Sequence, residues 1–125
     1  KIVAAARRIA QGSGERLELG NMAVQRDWGW APEYVEAMYL MLQQDVSEDF
    51  VIGTGVTSAL EDFVAAAFAS LGLDWQEHVV SNPALFRPSD IAVGRANPAK
   101  ASQILGWNAR INLEEVVRRM VANEL

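Results

Sequence analysis

The sequence predicts an α/β domain with few strands for its helices, and three observations carry that prediction. Apolar residues at helical spacing recur in separate blocks, as in Ile2, Ala5, Ala6, Ile9 and again in Leu60, Phe63, Val64, Ala67, Phe68, Leu71. Between the blocks lie short apolar runs of strand type, Leu17-Glu18-Leu19 and Phe50-Val51-Ile52. Boundary signals separate the two kinds: Gly12-Ser13-Gly14, Pro32, Gly53-Thr54-Gly55, Gly72 and Gly106.

Taken in order, Lys1–Gln11 reads as a helix already under way, with no capping residue before it, as in a domain cut from a longer protein; a signal-free native start is the alternative. Leu17–Leu19 follows as a strand. Pro32 suits a first helical position, and Glu33 and Glu36 favour the positive helix N-terminus. That helix should run to Gln44 and bury a stripe of Tyr34, Val35, Met38, Met41 and Leu42. Phe50–Ile52 is expected as a buried strand. Ser58 with Glu61 three residues on predicts a capping box, opening a helix to Leu71 that Gly72 ends. Trp75–Val80 is expected as a strand despite Gln76, Glu77 and His78 within it. Asn97-Pro98 should start a short helix closed by Gly106. Asn112 with Glu115 caps a last helix burying Leu113, Val116, Val117 and Met120. Residues 81–96 form one long irregular stretch, and loops of that length are often functional.

The 125 residues suit one domain, 1–125, and half of them are hydrophobic, an ordinary globular composition. A net charge of −5 speaks against a nucleic-acid surface, which would need a basic stripe. No apolar run approaches the roughly 20 residues of a membrane span. Without cysteine there is no disulfide and no thiolate metal site, so a cytoplasmic protein is the default. Nine of the eleven basic residues are arginines, and two of them stand isolated beside backbone breaks about sixty residues apart, Arg26 before Trp28-Gly29 and Arg87 before Pro88. A planar guanidinium matches phosphate oxygens with paired hydrogen bonds, so two can converge on one diphosphate. By spacing alone, surface ion pairing is the better reading.

The surrounding words decide between them. Leu19-Gly20-Asn21 precedes Arg26-Asp27-Trp28-Gly29, then come Tyr34-Val35-Glu36-Ala37-Met38 with Leu40-Met41-Leu42-Gln43, Phe50-Val51-Ile52-Gly53-Thr54-Gly55, Arg87-Pro88-Ser89-Asp90-Ile91, and Pro98-Ala99-Lys100-Ala101 leading to Leu105-Gly106-Trp107. In this order and spacing they resemble the C-terminal substrate-binding part of an extended short-chain dehydrogenase/reductase acting on a nucleotide sugar. Within that superfamily the chain is most similar to the GDP-mannose 4,6-dehydratases. The resemblance implies a pocket for GDP-mannose or a related GDP-sugar. Arg26 and Arg87 would approach the diphosphate, Asp90 would hold ribose hydroxyls, and Leu19 and Asn21 would pass near the nucleotide. Arg16 would stand at a position often filled by lysine. Asp90 replaces the family's usual glutamate, one methylene longer; Asn97 and Ala109 depart from an aspartate and a proline.

The resemblance also implies an NADP-dependent lyase, which oxidises the sugar at C4, eliminates water across C5 and C6, and returns the hydride to C6. None of that apparatus is legible here. Gly53-Thr54-Gly55 is not the glycine-rich turn that accepts pyrophosphate after a first strand. Tyr34 is followed four residues later by Met38, and Tyr39 by Gln43, so the family's Tyr-x-x-x-Lys pair is missing. The expectation is a sugar-nucleotide-binding portion, inactive alone, that packs on an absent Rossmann half or self-associates. A GDP-sugar reductase or nucleotide-sugar epimerase sharing this scaffold, or a stand-alone non-catalytic binding module, are the alternatives.

Overall fold

A computed structural model describes residues 1–123. Helix α1 (Ile2–Ala10) leads through a glycine-bearing turn to strand β1 (Leu17–Leu19), and β2 (Gln25–Asp27) follows after five residues. Helix α2 (Ala31–Leu42) precedes β3 (Thr57–Ala59) and α3 (Leu60–Ala69). A single helical turn α4 (Trp75–His78) runs directly into β4 (Val79–Ser81), and α5 (Leu113–Ala122) ends the described chain. Two two-stranded sheets result. The first pairs β1 with β4 in parallel, Leu17 opposite Val79 and Leu19 opposite Ser81. The second pairs β2 with β3 antiparallel, Arg26 opposite Ser58.

Helix α3 is the hub because two of its faces are apolar. Val64 and Phe68 pack with Ala5, Ala6 and Ile9 of α1 and with Leu17, Leu19 and Val79 of the parallel sheet. Phe63 and Ala67 pack on Val117 of α5. Each large side chain so buried contributes roughly 1.5–3 kcal/mol. A third cluster, Ala37, Ala101 and Trp107, fastens α2 to the C-terminal loops. No helix among the described residues is long and apolar enough to cross a membrane.

Several expectations need correction. β2 and β3 were not expected, since neither Gln25-Arg26-Asp27 nor Thr57-Ser58-Ala59 has a strand's apolar alternation. Phe50–Ile52 is not a strand: no neighbouring strand offers it a ladder among the described residues, and side chains hold it instead. Phe50 and Ile52 pack on the Ala37–Trp107 cluster, and Lys100 Nζ stands 4.9 Å over the Phe50 ring. Ser58 does not cap α3 because its main chain is committed to pairing with Arg26; the helix starts two residues later, and Asp62 Oδ2 accepts from the Ala59 N–H at 2.8 Å. Trp75–His78 is helical rather than extended because Asp74 Oδ1 accepts from the Gln76 N–H at 3.0 Å. His78 therefore ends a helical turn and stacks on Phe68, with ring centroids 6.0 Å apart.

On α2 the stripe is misjudged. Val35, Met38 and Leu42 are exposed, whereas Glu33 and Ala37 are buried. This helix is apolar almost all round, so periodicity could not choose its inner face. Met120 of α5 is likewise 43% exposed, while Val116 and Val117 are buried as expected. The short helix after Asn97-Pro98 is a π-helical turn, Ala101–Leu105, ended by Gly106 in the left-handed region.

Candidate functional site

The ends of β1 and β2 face the long 81–96 segment across a cleft of about 500 Å³. Leu19, Gly20, Asn21, Arg26, Arg87 and Asp90 all line it, so five of the six residues expected at the site come together. The exception is Arg16, exposed before β1 and absent from the lining. Sequence reasoning missed Lys1, Val24, Leu60 and Leu85, which complete the wall with Trp28. Lys1 had no motif to mark it, and the apolar three carry no chemistry of their own.

Local geometry explains why these residues meet. Asn21 turns the chain after β1 by accepting from the Ala23 N–H at 3.0 Å. Gly20 lies against the 3₁₀ turn Pro83–Leu85; a Cβ there would stand 2.7 Å from the Leu85 carbonyl oxygen, so only glycine permits this approach. The Asn82 N–H donates to the Leu19 carbonyl at 2.7 Å, tying the loop to β1. Gln25 N–H donates to Ala92 O at 2.8 Å and the Gly94 N–H to Gln25 O at 2.9 Å, tying its far end to β2.

The two arginines differ. Arg26 Nη1 donates to Gln25 O and Ile91 O, both at 2.7 Å, and Nη2 donates to Asp90 Oδ1 at 3.0 Å. The Arg87 side chain has no hydrogen bond or ion pair among the described residues. Among the described residues the cleft carries, with Lys1, three cations against the single carboxylate of Asp90, in a chain whose net charge is −5. A site of that sign and width suits an extended anion.

Asp27 does not orient Arg26. Its carboxylate accepts from the Thr54 N–H and hydroxyl, both at 2.9 Å, and from the Gly55 N–H at 2.8 Å. A carboxylate already faces these donors, so this Gly-Thr-Gly turn does not fit a pyrophosphate. The Tyr34 phenol is pushed above its ordinary value, first by burial and then by Asp27.

The fold is shared with enzymes of the extended short-chain dehydrogenase/reductase type. RMD from Pseudomonas aeruginosa, complexed with NADPH, superposes on 98% of the chain with a TM-score of 0.83 at 20% identity, and the chain covers 41% of it. UDP-glucose 4-epimerase from Thermotoga maritima, with UDP-glucose, gives 0.81 at 24% identity, with coverages of 98% and 38%. At that identity the likeness concerns architecture alone.

Sequence goes further. The family model described as GDP-mannose 4,6 dehydratase matches residues 1–120, and the chain belongs to that family. It is 38% identical to GDP-mannose 4,6 dehydratase 1 of Arabidopsis thaliana over its whole length and 40% identical to GDP-mannose 4,6 dehydratase 2 of Caenorhabditis elegans. It is 36% identical to the Homo sapiens GDP-mannose 4,6 dehydratase over 97% of its length. The chain spans 35% of the first of these relatives and 37% of the other two.

Proposed function

We propose that this chain is the sugar-nucleotide-binding portion of an NADP-dependent GDP-mannose 4,6-dehydratase, which converts GDP-mannose to GDP-4-keto-6-deoxymannose. One observation carries the reading: Arg26 and Arg87, from distant parts of the sequence, line one cationic cleft with Leu19, Asn21 and Asp90. Two guanidinium groups there bind the diphosphate, and Asn21 and Leu19 flank the nucleotide. Arg16, outside the lining, has no part in this reading. NADP and the proton-transfer groups are supplied by parts of the enzyme this chain does not carry, and the isolated chain is inactive. The cysteine-free sequence supports a cytoplasmic setting.

The apolar side of α2 supports a packing role. Val35, Met38, Tyr39 and Leu42 are more than half exposed, while the relatives are nearly three times as long as this chain. The remaining, dinucleotide-binding part of the enzyme is the occupant that matches both facts.

Calorimetric titration of the chain with GDP-mannose, with dTDP-glucose and NADP as controls, tests the binding reading. Selective GDP-mannose binding that Arg26→Ala or Arg87→Ala weakens by about tenfold or more supports it. Absence of binding by a folded chain overturns the cleft as a self-sufficient half-site.

A further inference from the structure

Strand β2 has a neighbour on each edge, and only one of them is a strand. On one side β3 pairs with it. On the other, residues 92–94 run alongside in parallel through the bridge of Gln25 with Val93. Two main-chain bonds make that bridge, Gln25 N–H to Ala92 O at 2.8 Å and Gly94 N–H to Gln25 O at 2.9 Å. The stretch continues the segment that carries Arg87, so its register on β2 sets where Arg87 stands relative to Arg26. Two bonds beside a glycine specify a register weakly. A slip of one residue would move the segment by about 3.3 Å and turn its side chains to the other face. A binding constellation must be held within about 0.5 Å.

The stop against such a slip is at Ala96. Its Cβ lies so close to Gly53 that a Cβ added to this buried glycine would stand 2.5 Å away. The same added atom would be 3.0 Å from Asp27 Oδ2. Two residues beyond Ala96, Pro98 lies against Gly55. The turn that Ala96 meets is fixed in turn by Asp27, which takes the Thr54 N–H and hydroxyl at 2.9 Å and the Gly55 N–H at 2.8 Å. Arg26 and Asp27 are successive residues of one strand, so their side chains leave on opposite faces. Arg26 reaches the cleft and Asp27 reaches the turn.

We infer that Asp27 is a positioning residue for the diphosphate site: through the 53–55 turn and the contact of Gly53 with Ala96 it sets the register of residues 92–96 on β2, and so the place of Arg87 beside Arg26. This rests on the cleft binding a nucleoside diphosphate, as proposed above. Asp27 itself does not line the cleft. Its effect is geometric, since paired guanidinium bonds to phosphate oxygens tolerate little displacement.

The test is an exchange of size across the contact, read by calorimetric titration with GDP. Gly53→Ala adds a Cβ, Ala96→Gly removes the one it would meet, and the double variant swaps the two. Circular dichroism and melting midpoints establish that each variant is folded. Gly53→Ala should weaken GDP about tenfold, and the swap should restore affinity to within about twofold of wild type. In an Arg87→Ala background Gly53→Ala should cost under twofold, because the side chain it displaces is gone. Asp27→Asn, which turns an amide NH₂ toward main-chain donors, should weaken GDP about fivefold with the same dependence on Arg87. Should Gly53→Ala fail to fold, Ala96→Val enlarges the contact from the loop side and should show the same loss and the same dependence. A loss that persists in full without Arg87 overturns the inference. So does a swap that restores the melting midpoint while affinity stays low, and so does unchanged affinity throughout. Failure of the folded wild type to bind GDP would instead overturn the cleft as a nucleotide site, and the inference with it.

Discussion

The buried carboxylate of Glu33, at the start of α2, holds the main chain at Arg110. Only 4% exposed, it accepts from the Arg110 N–H at 3.1 Å and the Ile111 N–H at 3.2 Å, and from Arg110 Nε at 3.0 Å. The Glu33 carbonyl takes the Trp107 indole N–H at 3.1 Å. One residue thus supplies acceptors for the whole approach to α5. Removing the carboxylate leaves main-chain donors without partners, so Glu33→Ala should destabilise by about 3 kcal/mol in urea unfolding. Arg110→Ala leaves the main-chain bonds intact and removes only a solvated guanidinium, so its effect should be far smaller. Equal losses would place the value in the ion pair instead.

This pair also marks what the sequence could and could not disclose. Glu33 looked like a dipole-favouring acid in a first turn, and nothing local to it announces a partner 77 residues on. The helices α1, α3 and α5 were legible because each buries a face with a clear period, and Asn112 was legible because its cap is local: its Oδ1 accepts from the Glu115 N–H at 3.0 Å. β2 and β3 were not, because their pairing answers to each other and not to any alternation within either strand. At the site the motif words named five residues that do meet. The fold explains Gly20 and Asn21 as well, one by close approach and one by its turn. The apolar lining residues left no trace, since Val24, Leu60 and Leu85 look like any core positions.

Acid stability offers a second test. Hydrogen bonds from Arg118 and Arg119 hold the Glu115 carboxyl at about 2, below its ordinary 4.5. A depressed folded value means that the stabilisation is fully present above 4.5 and is lost as pH falls toward 2. The melting midpoint of wild type should exceed that of Glu115→Gln by a constant margin above 4.5, and that margin should shrink through the window. The group is partly exposed, so roughly 1 M salt should narrow the margin even at neutral pH. A margin that ignores both acid and salt would trace to the helix start and not to the ion pairs.

Gly20→Ala probes the contact between β1 and the 81–96 segment. The added Cβ meets backbone, the Leu85 carbonyl, which cannot swing aside as a side chain can. The Pro83–Leu85 turn must shift, costing about 1–3 kcal/mol. Leu85 and Arg87 line the cleft, so GDP-mannose affinity should fall with stability. Titration and thermal melting of this variant give both readouts. A variant that loses stability while keeping full affinity would show that this turn does not set the position of Arg87.

The exposed side of α2 makes the last prediction. Val35 is 62% and Leu42 82% exposed, and burying such side chains is favourable by roughly 25 cal/mol per Å² of apolar surface. If the rest of the enzyme normally covers this face, the isolated chain should associate with itself through it as concentration rises. Sedimentation velocity should show that association, and Val35→Glu with Leu42→Glu should reduce it. Neither residue lines the Arg26–Arg87 cleft, so GDP-mannose titration should be unchanged in the double variant. In a full-length relative carrying the corresponding changes the outcome should reverse: stability and activity fall because the charges are forced into a packed interface, where an unpaired carboxylate is strongly disfavoured. A full-length enzyme indifferent to both charges would mean that α2 faces solvent in the complete protein.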